Sequence, residues 1–220
     1  NLSANIDRQI VIFVRKIHDK MNEKDIQSFS LATLIDVCGR RPGDICYDGC
    51  LIASRVNVQD EIDIDLFRYP TRIDAFVILL CSKGSGTFTS NLTRHTLTEN
   101  SIFVHLPGSI IQAESTEEIA LHAVICEEEF IRRINIDIKN MMPLFLKFVE
   151  NPTLALTPEE SRSMRGMIAQ IERETRGPET HFSFDIVSGL IAATIYKVGD
   201  IMYHYLAEHP GVTFSSVKEP

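Results

Sequence analysis

The chain has 220 residues, of which 44% are hydrophobic and 24% charged, as in an ordinary globular domain. Its formal net charge is −8 and it has no cluster of four or more basic residues, which excludes direct binding to nucleic acid phosphates as its main activity. No apolar run approaches the roughly 18 residues of a membrane span, and five cysteines without a Cys-x-x-Cys pair favour a reducing cytoplasm over a disulfide framework or a zinc site.

Residues 1–27 are predicted to form an amphipathic helix. Their apolar side chains recur every three or four positions, which places them on one face of a helix. The residues of this face are Ile6, Ile10, Phe13, Val14, Ile17 and Met21. The spacing leaves open whether the face packs on the rest of the chain or on a partner.

Residues 28–127 are predicted to form an antiparallel β-sandwich or barrel, because short β-branched and aromatic runs alternate there with turn residues. The Gly-Ser-Gly at 84–86 is too short for a phosphate-binding loop and is interpreted as a hairpin turn. Cys81 and Cys126 lie in apolar runs and are expected to be small core residues. The predicted strands cover 51–56, 75–81, 86–91, 94–98, 101–106 and 119–125.

Residues 128–208 are predicted to be helical. Thr157 is a suitable N-cap, Pro158 suits the first helical position, and Glu160 completes a capping box. The Arg-Gly-Pro at 176–178 ends that helix. Its apolar stripe consists of Met164, Met167, Ile168 and Ile171.

A last helix is predicted over about 180–208, and it carries a seam of side chains with alternating spacings of four and three. Such a seam is typical of a coiled coil and predicts a homodimer interface; a single wide stripe facing the chain's own core is the alternative. The seam consists of Val187, Ile191, Thr194, Val198, Ile201 and Tyr205. Residues 209–220 are expected to be a linker to a C-terminal domain that would follow downstream.

The stretch "YPTRIDAFVILLCSKGSGTFTSNLTRHTLTENSIFVHLPGSIIQ" at 69–112 resembles the N-terminal cupin domain of AraC-type transcriptional regulators, in the form common in Bacteroides-like bacteria. With the helices that follow, the resemblance covers about 30–208. It rests on Pro70, Arg72 and Asp74, on Cys81, Lys83 and Gly84, and on Leu106, Pro107 and Gly108.

The resemblance implies an α+β fold, in which a cupin-like antiparallel β-barrel is followed by an antiparallel helical hairpin that dimerises. It also implies that DNA is bound only by a helix-turn-helix domain, which would lie in the missing C-terminal part. The expected partners are therefore a second copy of the chain and a small-molecule effector, with no membrane.

Residue types argue against a metal site and against catalysis, so no cofactor and no catalytic residue are predicted. Metal-binding cupins use a His-x-His pair, a carboxylate and a later histidine. No histidine occurs between His18 and His95, and no Asp or Glu between Asp74 and Glu99. No Gly-x-Ser-x-Gly motif occurs, and no cysteine lies in an obvious activating context.

A ligand inside the barrel would need a few polar or aromatic contacts near its mouth. Arg72 is the first choice, because a guanidinium can clamp a carboxylate, a phosphate or a pair of sugar hydroxyls; a salt bridge with Asp74 or Asp65 is the alternative. His95 and His105 lie in strands whose alternate residues face inward, so either could bind a ligand or be a satisfied strand histidine. The other candidates are Tyr69, Phe88 and Gln112.

Three functions fit these observations. The first is a ligand-sensing and dimerising domain of an AraC-type regulator. The second is a stand-alone, metal-free cupin that binds or isomerises a small sugar, which sugar turnover would reveal. The third is a barrel that no longer binds a ligand and serves as a dimeric scaffold, in which case Phe and Ile side chains would fill its interior.

Overall fold

The computed structural model describes residues 26–37, 45–57, 67–134, 136, 138–149 and 151–209. Within these ranges nine strands and five helices form an α+β fold, so the predicted fold class is confirmed. The helix predicted over 1–27 lies outside the described residues up to residue 25, and Gln27 begins a strand. The predicted linker at 209–220 lies outside them from residue 210 onward.

The elements of the fold are numbered here in chain order. The strands are β1 (Gln27–Phe29), β2 (Ile45–Tyr47), β3 (Cys50–Asn57), β4 (Thr71–Ile73), β5 (Phe76–Ser90), β6 (Thr93–Thr98), β7 (Ser101–His105), β8 (Ile110–Cys126) and β9 (Thr153–Ala155). The helices are α1 (Leu31–Val37), α2 (Glu128–Arg133), α3 (Ile138–Lys147), α4 (Pro158–Arg176) and α5 (Ser183–Glu208).

Strands β5 and β8 are the two long members of the sheet, and the others pair around them. Strand β8 pairs antiparallel with β3, β4 and β5, while β5 also pairs antiparallel with β6 and β7. The register of the β5–β8 pair shifts three times, and such bulges bend a strand and increase its twist. Because of these bends, β5 and β8 can each pair with several other strands along their length.

The predicted hairpin turn at 84–86 is wrong, because β5 continues through it without a break. Gly84 has a φ of +73° and lies within the register shift between Lys83 and Ser85. A Cβ at this position would collide with the carbonyl oxygen of Glu117 on β8. The glycine therefore marks a bulge where two strands approach closely, rather than a turn.

Two short elements differ from the sequence-based expectation. Strand β9 lies inside the region predicted to be helical, where it pairs antiparallel with β7 and extends the sheet. Helix α1 lies inside the predicted β-region, next to β1, which pairs parallel with β4. Elements of three and seven residues are too short to produce a clear periodic pattern in a sequence.

Successive residues of β5 point to opposite faces of the sheet, and each face has its own core. Ile78 and Leu80 lie on the face that packs against the helices, where a large cluster includes residues of α3, α4 and α5. Leu79 and Cys81 lie on the other face, which we call the interior face. Cys81 and Cys126 are both fully buried, as predicted, and the two lie on opposite faces.

Helices α4 and α5 follow the sheet and pack against each other. The capping box predicted at the start of α4 is present, since the Thr157 side chain accepts a hydrogen bond from the Glu160 backbone N–H and the Glu160 carboxylate accepts one from the Thr157 N–H. In the described part of the chain α5 is the one helix long and apolar enough to cross a membrane, but half of its apolar window is buried against the rest of the chain. A core helix has the same composition.

Candidate functional site

The interior face carries an apolar cluster that is only partly closed. Its fully buried members are Cys81, Leu97, Phe103 and Ile119. Around them pack four side chains that retain part of their surface in solvent, which are Leu79, Phe88, Ile111 and Leu121. Partly exposed apolar side chains that converge from two strands, β5 and β8, are what a small-molecule site requires.

Four rings form a continuous row along this cluster, which we call the ring row: His95, Phe88, Phe103 and His105. The Phe88 ring lies 5.7 Å from the His95 ring and 4.8 Å, edge to face, from the Phe103 ring. The Phe103 ring in turn lies 6.1 Å from the His105 ring. Both Phe–His contacts are tilted. The row thus presents aromatic surface between two imidazoles.

His105 is 2% exposed, and its hydrogen bonds define its protonation state. Its Nε2 lies 3.2 Å from the backbone oxygen of Ile73, which can only accept, so we assign the ring proton to Nε2. Burial lowers the pKa of His105 to about 4, although this hydrogen bond opposes the shift. The ring is therefore neutral at pH 7 and its Nδ1 can only accept, and this buried atom has no hydrogen-bond partner among the described residues.

His95, at the opposite end of the ring row, has a related environment. It is 9% exposed, and its buried Nε2 also lacks a hydrogen-bond partner within the part of the chain that the structure describes. Burial lowers the pKa of His95 below its usual value. An unpaired buried polar atom costs free energy, and such atoms often mark a ligand or water position.

A small cleft opens beside His105. It has a volume of about 10 Å³, enough for about one water molecule or one hydroxyl group. Its lining joins the sheet to the segment of helix α3 and the residues just after it. The lining residues are Ser90, Val104, His105, Leu106, Ser109, Phe145, Phe148, Val149 and Pro152.

The structure brings together two of the five predicted ligand-binding residues, Phe88 and His105. Arg72 does not join them, because it is exposed on β4 between two buried neighbours and points to the other side of the strand. Tyr69 precedes β4, and its backbone carbonyl accepts a hydrogen bond of 2.8 Å from the Thr71 hydroxyl. Arg72 and Tyr69 are therefore no part of the ring row.

Gln112 is also separate from the ring row. Its amide nitrogen donates a hydrogen bond of 2.8 Å to the backbone oxygen of Arg68. It follows Ile111, which belongs to the interior cluster, so alternation places its side chain on the opposite face of β8. Phe103 was missed as a site residue, although its position two residues before His105 in a strand was a signal that the two share a face.

No group of three or more potential metal-ligating side chains occurs among the described residues. The described cysteines are free thiols, and Cys50 and Cys126 lie opposite each other on β3 and β8 with their sulfurs 2.8 Å apart. Burial raises the pKa of the Cys50 thiol, which favours the unreactive protonated form.

The residues predicted to form a dimer interface on α5 are in large part buried inside the chain itself. Val187, Ile191 and Val198 have no exposed surface, Thr194 has none either, and Ile201 retains 3%. Tyr205 is partly buried and contacts the Phe148 ring at 6.1 Å. This seam therefore faces the core of the chain and not a second copy. The prediction failed because the spacing of apolar residues shows that they share a face, but not what covers that face.

The opposite side of α5 carries a second seam, also with alternating spacings of four and three, which is exposed. We call it the outer seam; it consists of Phe182, just before the helix, and Ile186, Gly189, Ala193, Tyr196, Asp200, Tyr203 and Ala207. The side chains of Phe182 and Tyr203 are 61% and 66% exposed. Phe182, Ile186, Tyr196 and Tyr203 make the outer seam largely apolar, with the charged Asp200 as an exception, and an exposed strip of this kind is unusual on a surface that contacts only water.

The AraC-like ligand binding domain is the family whose sequence model matches the chain, over residues 60–182. No curated protein matches it.

Several solved structures are similar to the chain, and three of them illustrate the likeness. One is an apo variant of ToxT from Vibrio cholerae, with 13% identity and a TM-score of 0.37 over 80% of this chain and 58% of that protein. Another is the AraC-like transcriptional activator CuxR, with 10% identity and a TM-score of 0.39 over 74% and 59%. ToxT from Vibrio cholerae with a bound unsaturated fatty acid has 13% identity and a TM-score of 0.36 over 67% and 52%. The chain thus spans less than two thirds of the length of each of these proteins.

Proposed function

The chain belongs to the AraC-like ligand binding domain family, whose model matches more than half of its residues, and from that premise we propose that it is the effector-sensing and dimerising part of a transcriptional regulator. The proposed arrangement is a sensing β-region at 28–127, a helical region at 128–208 and a linker at 209–220 to a DNA-binding domain. DNA contacts belong to that further domain, since a chain with a net charge of −8 is a poor ligand for phosphates. A regulator of this kind works in the cytoplasm.

The observation that carries the proposal is the ring row with its unpartnered imidazole nitrogens. A fold selected only for stability would pair these buried atoms or replace the histidines with apolar residues. A ligand that contacts the row would bury the partly exposed Phe88 and supply a partner to His105. Both contributions favour the bound state.

Contacts between the site and α5 give a route by which a ligand can act at a distance. The cleft at His105 is lined by Phe148, which follows α3, and the Phe148 ring contacts Tyr205 on α5. Helices α3 and α5 also approach closely at Gly199, where an added Cβ would lie 2.6 Å from Met141 Cε. A ligand that prefers one position of α3 therefore biases α5 as well.

We further propose that two copies of the chain dimerise through the outer seam of α5, in place of the seam predicted from the sequence. The repeat of four and three is self-complementary, and Gly189 and Ala193 at its centre leave space for a second helix to approach. A shift of α5 in each copy would then change the spacing of the two attached DNA-binding domains.

Ala193→Arg tests the dimer, with Ala169→Arg as a matched control, because Ala169 is an exposed alanine of α4 that does not belong to the outer seam. Sedimentation at tens of micromolar should show a dimer for the wild type and Ala169→Arg and a monomer for Ala193→Arg. A wild-type monomer, or a dimer that survives Ala193→Arg, would refute this interface.

Phe88→Ala tests ligand sensing, with Thr87→Ala on the same strand as its control. A thermal-shift screen covers sugars, carboxylic acids, phenols and amides. We expect at least one compound to raise the Tm of the wild type and of Thr87→Ala, but not of Phe88→Ala. If every compound that binds does so regardless of Phe88, the interior face is not the sensing site.

A dimeric scaffold without a ligand is the second candidate, favoured by the close packing of Phe103, Leu97 and Ile119 and by the small volume of the cleft. Failure of the entire screen, together with a dimer that depends on Ala193, would support it. The sugar-isomerising alternative has less support, because a sugar needs several polar partners and the ring row offers only imidazoles.

A further inference from the structure

We propose, resting on the function proposed above, that the interior site takes an uncharged, largely apolar ligand that donates one hydrogen bond to His105 Nδ1. Phenols, aliphatic alcohols and compounds with an indole-like N–H have this chemistry. Carboxylates and sugars do not.

The requirement for a donor follows from the fixed direction of the His105 ring. The backbone oxygen of Ile73 accepts from Nε2, so the one proton of the neutral imidazole is already in use on that side. Nδ1 can then only accept, and no described residue donates to it. A ligand with an O–H or N–H group satisfies it, whereas a group that only accepts would place two lone pairs against each other.

The positions of the described basic side chains of the sheet favour a ligand without charge. Among the described residues of the sheet, Lys83 is exposed and pairs with Glu118, while Arg94 is exposed and pairs with Glu114. Arg72 is exposed on β4. No cation among these described side chains faces the ring row, and a carboxylate buried there would lose its hydration without a counter-charge.

The apolar body of the ligand follows from the surfaces that remain partly open. Leu79, Phe88, Ile111 and Leu121 retain solvent-exposed area next to the ring row. A flat or slender apolar group laid on Phe88 covers that area. A sugar with many hydroxyl groups would leave most of them without partners on such a surface.

Three matched compounds separate these requirements: 4-ethylphenol is uncharged and donates, 4-ethylanisole is uncharged and only accepts, and 4-ethylbenzoate is an anion. Titration into the intact 220-residue chain at pH 7.5, followed by NMR shifts of the interior residues, measures each affinity. We expect 4-ethylphenol to bind roughly tenfold more tightly than 4-ethylanisole, as one hydrogen bond predicts, and 4-ethylbenzoate to bind most weakly.

His105→Phe should abolish the preference for the phenol over the anisole, while His204→Phe, an equivalent change at an exposed position of α5, should leave it intact. His105→Gln, which keeps an acceptor, should retain part of the preference if the phenylalanine variant does not fold. Equal binding of phenol and anisole, or tighter binding of the benzoate, overturns the proposed ligand class while leaving the interior as the sensing site. If none of the three compounds binds, the proposed ligand class is wrong as well. The thermal-shift screen with Phe88→Ala then shows separately whether the interior face senses a ligand.

Discussion

The two faces of the sheet are built from the same strands but differ in how completely they are closed. On β5, Ile78 and Leu80 point toward the helices and have no exposed surface. Leu79, which lies between them, and Phe88, further along the same strand, point to the interior face and remain partly exposed. On β7, Ile102 and Val104 pack under the helices, whereas Phe103 and His105 belong to the ring row.

The helix-facing side of the sheet mainly stabilises the fold, whereas the interior face is arranged for binding a ligand. The helix-facing side buries aliphatic side chains densely, which is how a fold gains free energy. The interior face gives up part of that gain, because it buries two imidazoles with unpaired nitrogens and leaves apolar area open. Binding sites commonly carry such a cost in stability.

Truncation of one residue on each face should give the largest contrast. Ile78→Ala removes a fully buried side chain under the helices and should lower the free energy of unfolding by about 2–5 kcal/mol. Leu79→Ala, the matched change on the interior face, should cost roughly half as much or less, since its side chain is already partly solvated. Urea unfolding measures both, and equal losses would remove the distinction between the faces.

Acid should weaken the fold through His105. Its pKa is about 4 in the folded chain and about 6.5 when unfolded, so between these values the unfolded state binds a proton that the folded state does not. The free energy of unfolding should therefore fall by about 3 kcal/mol as the pH drops from about 6.5 to about 4, with no contribution above that window. Urea unfolding of wild type and His105→Phe over this range isolates the effect, and curves with the same pH dependence would show that the imidazole does not titrate as described.

Two glycines with positive φ, Gly84 and Gly108, differ in how much space an added methyl group would have. Gly84→Ala should destabilise by about 2 kcal/mol or more, since the added methyl group meets the Glu117 carbonyl in addition to the backbone cost. Gly108→Ala has the same kind of φ but open space around it and should cost about 1 kcal/mol. Thermal unfolding of both variants tests this order, and a cost for Gly108→Ala equal to that for Gly84→Ala would argue against a close approach at the bulge.

The smallest effect concerns His95. Replacing it with Leu removes an unpaired buried nitrogen and should change the free energy of unfolding by less than about 1 kcal/mol, or increase it. Leu97→His, the reverse change two residues along the same face, should destabilise the chain. Chemical unfolding of the two variants measures both changes. If His95→Leu lowers the free energy of unfolding more than Leu97→His does, His95 stabilises the fold and its position is not a cost of ligand binding.

Local patterns in the sequence predicted the elements whose signals are strong. The capping box from Thr157 to Glu160 and the apolar runs of β5, β7 and β8 were recognisable, because caps and alternation leave their mark in consecutive residues. The family resemblance at 69–112 predicted the order of sheet and helices. The bulge at Gly84 was mistaken for a turn, since a glycine with positive φ serves both.

Long-range placement could not be predicted in the same way. The seam from Val187 to Tyr205 has the spacing of a coiled coil, but only the fold shows that α3 and α4 already cover it. Arg72 has suitable chemistry for a ligand clamp, yet its direction depends on the register of β4 against β1 and β8. Phe88 and His105 were among the candidates because a ligand at the mouth of the barrel would need polar or aromatic contacts, and only the fold shows that their rings lie in one row.

The protonation state of His105 tests the central claim most directly. Long-range ¹H–¹⁵N correlation spectra of the imidazole at pH 7.5 report which nitrogen carries the proton and how it responds to a ligand. We expect a neutral ring with the proton on Nε2, and an Nδ1 signal that shifts when 4-ethylphenol is added but not when 4-ethylanisole is added. A doubly protonated ring, or a proton on Nδ1, would contradict the interior face as an acceptor site for an uncharged ligand.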